Sequence, residues 1–360
     1  MMAQMLTETK PSTRLGKQTV SFGSPPVISG FASVVGPKEG EGPFGKLFDV
    51  IEPDVLLGEK SWERAETKLM IKASKLALKR AGLSAGDLDY MLAGDLLNQI
   101  IASDFAAREL AAPFLGLYGA CSTIAEGLGI ASSLISGGIA RQVLVTVSSH
   151  FNTAERQYRY PLEFGAQRPV TSQWTVTGAG AVVLTAETGV GDGHDGHPRI
   201  TSWTCGRVVD MGISNPNDMG SAMAPAAADT IQQHLEDTER GPDDYDLIIT
   251  GDLGKLGSKL VDEVLAKKGI RLGDNFTDCG AIIFGEDQDV HSGASGPACS
   301  AAMLGGPLLK RMVAGELRRL LFVPTGALFS PTSFQQGESI PSIAHAIVIE
   351  GPDGKAGRRS

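Results

Sequence analysis

The chain has 360 residues, 42% of them hydrophobic, and 41 acidic against 32 basic side chains give a formal charge of −9. That suffices for one large core or two domains of about 150 residues each, and the lack of any dense Lys/Arg stripe excludes a nucleic-acid partner. Four widely spaced cysteines (Cys121, Cys205, Cys279, Cys299), with no C-x-x-C pair, indicate neither a disulfide framework nor a zinc site.

In chain order, residues 1–16 are polar and aperiodic and read as a mobile end without the apolar core of a signal peptide. "GPKEGEGP" (36–43) reads as a solvated Gly/Pro turn carrying Lys38 and Glu39. An amphipathic run over 62–81 predicts a helix, and "DLDYMLAGDL" (87–96) a buried strand ending in Gly-Asp, at Asp95. A short apolar strand (114–118) then enters "YGACSTIAEGLG" (118–129), placing Cys121 at a strand-to-helix corner. A strand over 143–147 leads into the basic, aromatic stretch "SSHFNTAERQYRYPLEFGAQRP" (148–169), and "GAVVLTAETG" (180–189) reads as another buried strand. The Gly/His-rich run "GVGDGHDGHPR" breaks the chain near its middle. Its His194, His197, Asp192 and Asp195 suit a solvated connector better than a metal site. A second helix over 221–239, rich in small residues and so suited to tight packing, precedes the strand "DYDLIITGDL" (244–253), and the last ten residues are again polar. No window reaches the eighteen or so apolar residues of a membrane helix.

The two halves repeat. "DLDYMLAGDL" aligns without gaps on "DYDLIITGDL". The 30 residues from "ACSTIAEGLG" (120–149) match those from "ACSAAMLGGP" (298–327) in order, and "GAVVLTAETG" echoes "AHAIVIEGPDG" (344–354). Segments recurring in one order point to duplication of a βαβ-type unit. Strands without polar alternation point to sheets covered by helices on both faces. The expected fold is α/β, a five-layer α/β/α/β/α sandwich from two duplicated halves, 17–190 and 200–350, joined by a connector at 191–199 and flanked by tails at 1–16 and 351–360.

A duplicated α/β chain with a Cys at this corner, followed by "TVTGAGAVVL" (175–184), resembles the thiolase superfamily near β-ketoacyl-acyl-carrier-protein synthase III. More narrowly, "GPKEGEGPFGKLFD", "AGDLLNQ", "GACST", "SSHFNTAERQYRYPLEFG", "DMGSAMAPAAADTIQQHLED" and "ESIPSIAHA" resemble the stage V sporulation protein AD family of spore-forming bacteria, over residues 17 to 350. The resemblance implies a thiolase-like homodimer without condensing activity. Such a protein binds pyridine-2,6-dicarboxylic acid (dipicolinic acid) and assists its uptake into the developing spore with membrane subunits. It implies no cofactor, calcium entering only with the ligand, and a place at the cytoplasmic face of, or peripheral to, the forespore inner membrane.

A thiol at pH 7 is only a few per cent thiolate and needs help to react. The helix start offers Cys121 a positive dipole end and free N–H groups. Synthase III enzymes add a His and an Asn as oxyanion donors, and thiolases a His and a second Cys. At the matching places this chain has "IITGDLGKLG", "HSGASGPACS" and Ser342. Losing one oxyanion donor costs about 10²–10³ in rate, so Cys121 reads as a vestigial nucleophile. The competing reading is an acyltransferase whose base has migrated, with His345 the first candidate, and a third is a scaffold that binds nothing small. For a flat dianion the expected contacts are Cys121 and Ser122 with their N–H groups, Asp95, His345, and Ser148, Ser149, His150, Arg156, Arg159 and Arg168 with the rings of Phe151, Tyr158 and Tyr160 from the basic stretch, read as a loop that follows the C-terminal end of a strand. Asp252 reads as a turn residue or cap, and Cys299 as buried and structural.

Overall fold

The computed structural model describes residues 10–158, 168–187 and 196–352. The first half runs β1 (Val27–Val35), α1 (Trp62–Arg80), β2 (Tyr90–Gly94), α2 (Ile101–Leu110), β3 (Phe114–Gly116), α3 (Thr123–Ser136), β4 (Gln142–Ser149), α4 (Phe151–Tyr158) and β5 (Gly178–Thr185). The second half runs β6 (Arg199–Thr204), α5 (Met219–Thr238), β7 (Leu247–Thr250), α6 (Gly254–Lys267) and β8 (Phe276–Asp278). It ends with α7 (Pro297–Met303), continued by a π-helical segment (Leu304–Leu308) into α8 (Leu309–Val313), then β9 (Arg319–Val323) and β10 (Ala346–Glu350).

The strands lie in the order β3-β2-β4-β5-β1 in one half and β8-β7-β9-β10-β6 in the other, the same order in each, and the two ladders meet where β6 pairs with β1 at Arg199 and Val27. β2 is parallel to both its neighbours, with Tyr90 opposite Val143, and β7 repeats this with Leu247 opposite Leu320. The remaining ladder pairs are antiparallel. Parallel neighbours demand crossover helices, and these coat both faces. Accordingly β5 is buried at all eight positions.

Three packed clusters result. One joins α1 and α2 to the outer face of the first ladder, through Leu69, Met70, Met91 and Leu144. A second joins α5 and α6 to the outer face of the other, through Met223, Ile231, Ile248 and Leu321. The largest lies between the ladders, where α3 and α7 sit side by side and Ile124, Leu128, Cys299 and Met303 pack against strands of both halves. The order from face to face is helix, sheet, helix, sheet, helix.

Local chemistry fixes the helix ends and approaches. Ser61 caps α1, accepting from the Arg64 N–H, and Asp218 caps α5, accepting from the Ser221 N–H. Lys79 and Arg80 close α1, where positive charge suits the dipole. The small residues of α5 let it meet α6 closely: a Cβ on Gly220 would lie 3.1 Å from the Gly257 nitrogen.

Several expectations need correction. The first sixteen residues are not wholly a free end, because Thr13–Leu15 pairs with Thr19–Ser21, which in turn pairs with β6. The Asp237 carboxylate anchors this arm by accepting from the Lys17, Gln18 and Thr19 N–H groups. The 36–43 stretch is not simply a solvated turn. Pro37–Gly40 forms one helical turn, Lys38 lies 4.5 Å from the Trp174 ring centre, and Glu39 is buried with Oε1 accepting from the Thr177 N–H at 2.8 Å. Burial raises the Glu39 carboxyl to about 7. Arg159, Tyr160, Asp192, His194 and Asp195 lie outside the described residues.

Candidate functional site

The corner expected at Cys121 is a sharp elbow. After β3 the chain makes a single 3₁₀ turn, Ala120–Ser122, and enters α3. Ala120 sits at φ +50°, in the left-handed region that costs a residue with a Cβ about 1–2 kcal/mol. Hydrogen bonds hold it there: Ser122 donates to the Gly119 carbonyl through both N (3.0 Å) and Oγ (2.7 Å), and Thr123 Oγ1 donates to the Ala120 carbonyl at 2.6 Å. Gly326, in the strand Thr325–Ala327, packs directly behind. A Cβ there would come within 2.2 Å of the Gly119 oxygen.

Cys121 opens onto a cavity of about 600 Å³, including its mouth. Leu96, Met219, Met223, Tyr158 and Phe329 form its apolar side, and Cys121, Asp252, Thr175 and Ser295 its polar side. Tyr158, at the end of α4, donates its OH to the Leu96 carbonyl at 2.6 Å, and its ring centre lies 5.3 Å from that of Phe329. These two rings narrow the passage from an outer groove that also holds Asp95, Gln99 and Ser330. No His, Asn, Lys or Arg among the described residues lines the inner cavity.

The electrostatics run against a reactive thiol. Burial, first, and the Asp252 carboxyl, second, push Cys121 well above the ordinary thiol range, although the Gly296 and Cys121 N–H groups pull the other way. The dipole end of α3 therefore does not prevail over desolvation and a neighbouring carboxyl. Asp252 follows β7 and is fully buried. Its Oδ1 accepts from Thr325 Oγ1 at 2.5 Å, and its main-chain oxygen accepts from Gln173 Nε2 at 2.6 Å. Oδ2 is buried without a hydrogen bond of ordinary geometry, but the Cys121 thiol lies near enough for each group to move the other's titration. Burial raises Asp252 to about 7, against the lowering effect of Cys121 and Thr325.

The other expected contacts are dispersed. Asp95 caps α2: Oδ2 accepts from Ser103 N (2.8 Å) and Oγ (2.6 Å), and Oδ1 from Leu97 N (2.8 Å). Burial nevertheless raises it to about 6. Ser148 Oγ donates to the buried Glu66 carboxyl at 3.2 Å, and burial, then Asp95, push Glu66 well above the carboxylate range. Ser149 Oγ donates to the Val176 carbonyl (2.7 Å) and accepts from Ala298 N (3.2 Å), so it braces the start of α7. His150 is buried, with Nε2 donating to the Val55 carbonyl at 2.7 Å. Arg156 lies on helix α4, not a loop, and turns outward to pair with Glu63 above the Trp62 ring. Arg168 pairs with Asp289 at 2.6 Å beside Trp174. His345 is buried away from the cavity lining, 6.3 Å from the Trp203 ring, where its Nδ1 accepts from Gly206 N and burial lowers it to about 4. Of the expected contacts among the described residues, Cys121 and Tyr158 line the inner cavity, Phe151 stacks on Trp174 instead, and Ser122 supports the elbow.

The sequence of the stage V sporulation protein AD family matches this chain over residues 16–350. The Bacillus subtilis (strain 168) stage V sporulation protein AD is 48% identical over 335 residues, covering 93% of this chain and 97% of that protein. The chain belongs to the stage V sporulation protein AD family. Its fold is that of thiolase-like enzymes. The Aquifex aeolicus VF5 3-oxoacyl-[acyl-carrier-protein] synthase III superposes with a TM-score of 0.56 at 15% identity, covering 90% of this chain and 99% of that one. Cerulenin-bound OleA of Xanthomonas campestris gives 0.59 at 14%, covering 91% and 99%. Within this sporulation-family chain, sequence reasoning missed Asp252 as a lining residue. Its signal was the gapless repeat, which pairs it with Asp95. The two diverge in their downstream neighbours: Ser103 lies eight residues after Asp95 and engages it, whereas Asp252 is succeeded by Leu253 and Gly254, which turn away to the Asp278 carboxylate.

Proposed function

We propose that this protein binds dipicolinic acid in the cavity between Cys121 and Asp252 and, with membrane subunits, assists its uptake into the developing spore without catalysing condensation. The observation that carries this reading is a preformed slot, walled by Tyr158, Phe329 and two methionines, whose cysteine is pushed up rather than activated. A flat aromatic acid suits such walls, with the Thr175 and Ser295 hydroxyls and main-chain N–H groups as donors. An acyl-transfer site would need oxyanion donors and a neighbour that lowers the Cys121 thiol; among the described residues no His or Asn lines the cavity, and the Asp252 carboxyl raises the thiol. We further propose a homodimer that needs no resident cofactor, calcium entering only with the ligand, and that acts at the forespore inner membrane as a peripheral subunit. Among the described residues no helix is long and apolar enough to cross a membrane, and no group of three or more His, Cys, Asp and Glu side chains is placed to hold a metal ion.

Isothermal titration with dipicolinate, with and without Ca²⁺, tests the reading. Saturable binding that Met223→Trp removes by filling the slot supports it, and no heat under either condition leaves a scaffolding role. Incubation with acyl-CoA donors and intact-mass measurement tests the competing activity. A stable adduct that Cys121→Ser abolishes would establish an acyltransferase.

A further inference from the structure

A dicarboxylate in this cavity meets an acid and, among the described residues, no cation. Asp252 faces the space from the second half, and Cys121 faces it from the first. The titratable groups acting on Asp252 come from every side. The Cys121 thiol lies in front, the Asp278 carboxyl behind, and Cys279 and Cys299 beside the start of α7. Asp278 is occupied, accepting from Thr250 Oγ1 and from the Leu253, Gly254 and Ala281 N–H groups. All three thiols are pushed up by burial. Asp252 Oδ1 is likewise occupied by Thr325. What remains is Asp252 Oδ2, a fully buried oxygen with no hydrogen bond of ordinary geometry, beside the Cys121 thiol on a residue that lines the cavity.

Two carboxyl groups brought together without a cation hold one proton between them, because both cannot ionise at close range. We propose that Asp252 is the residue that recognises a ligand carboxylate, that it does so as a carboxylic acid through Oδ2, and that one proton therefore enters the pocket with each ligand. This rests on the reading of the cavity as an aromatic-acid site. Thr325 donating to Oδ1 leaves the proton on Oδ2, the oxygen that can present it to the ligand. Burial, which brings the free carboxyl to about 7, places this proton near neutrality before any ligand arrives. The proton comes from solvent and no covalent bond changes. The arrangement selects acids over neutral amides of the same shape, because only a carboxylate strengthens the shared proton.

Sodium dipicolinate titrated calorimetrically into the full chain with a calcium chelator present, at pH 6, 7, 8 and 9 in buffers of different ionisation heat, decides the matter. The expected result is uptake of about one proton per ligand above pH 7, with affinity falling about tenfold per pH unit between pH 8 and 9. In Asp252→Asn the carboxamide keeps an N–H donor on the cavity side, so binding persists, independent of pH and without proton uptake. Pyridine-2,6-dicarboxamide should bind at least tenfold more weakly than the acid at pH 6. Ligand binding whose heat does not depend on the buffer and whose affinity is flat with pH would overturn the proposal while leaving the aromatic-acid site intact. So would binding that requires Ca²⁺ and is lost in Asp252→Asn, which would make Asp252 a calcium-facing carboxylate. No binding at any pH, with or without Ca²⁺, would remove the underlying site and this proposal together. The wild-type buffer series decides even where the variant fails to fold.

Discussion

Replacing Asp252 by Asn should stabilise the unliganded protein, and by an amount that depends on pH. The side chain is fully buried, and its carboxyl titrates at about 7 instead of 3.8. A carboxyl raised in the folded state supports folding fully below the unfolded value. That support is lost as pH rises through the folded value, since the unfolded chain ionises first. At 1.36 kcal/mol per pH unit, the ionisation of Asp252 opposes folding by about 4 kcal/mol at pH 8 and about 2 kcal/mol at pH 5. Asn never ionises, and its carbonyl can still accept from Thr325. The variant should therefore gain on the wild type as pH rises from 5, the advantage growing by about 2–3 kcal/mol and levelling off above pH 7. Urea unfolding followed by tryptophan fluorescence from pH 5 to 8 measures this directly. A difference between the two proteins that stays constant over that range would mean that Asp252 is ionised or solvated throughout, and the account of the cavity would fail with it.

Gly326→Ala drives a Cβ to within 2.2 Å of the Gly119 oxygen behind the elbow and should cost about 1–3 kcal/mol, read as a lower melting temperature. Gly241→Ala, where a Cβ meets nothing within 4 Å, should melt like the wild type. Iodoacetamide near neutrality should label the exposed Cys205 before the buried Cys121, as seen by peptide mass, and faster labelling of Cys121 would contradict the thiol environment described. Burial lowers His345 to about 4 and His234 to about 3, so the support these neutral rings give the fold is present above 6.5 and lost as pH falls through those values. His345→Gln should flatten part of the acid limb of a stability–pH curve between pH 6.5 and 4. Arg156→Ala removes an exposed pair and should change stability by less than about 1 kcal/mol and dipicolinate affinity not at all, measured by calorimetry.

The architecture was legible because its signals are long. A ten-residue gapless repeat and strands without polar alternation carry the periodicity that fixes layers and topology. The cysteine elbow was legible for a related reason, a strand, small residues and a helix in succession. The cavity wall was legible only at Cys121 and Tyr158. Its lining comes from eight separated stretches, including Leu96, Thr175, Ser295 and Phe329, that only folding brings together. Residue type also misled: Arg156, Ser149 and His150 have the chemistry of anion binding, but Glu63, the α7 start and the Val55 carbonyl claim them. Asp95 and Asp252 looked alike from the repeat. Sequence could not tell that the first would be consumed by Ser103 and the second left with an open oxygen.

The middle layer carries a further consequence. Helix α7 leans on β4 and β5 of the opposite half, while α3, seated on β4 of its own half, also reaches β6 and β10, so tightly at Gly129 that a single added carbon would strike the Trp203 ring. Neither repeat owns a closed interior. Each half closes its interior only on the other, so fragments of this chain made separately should be soluble only when they are made together.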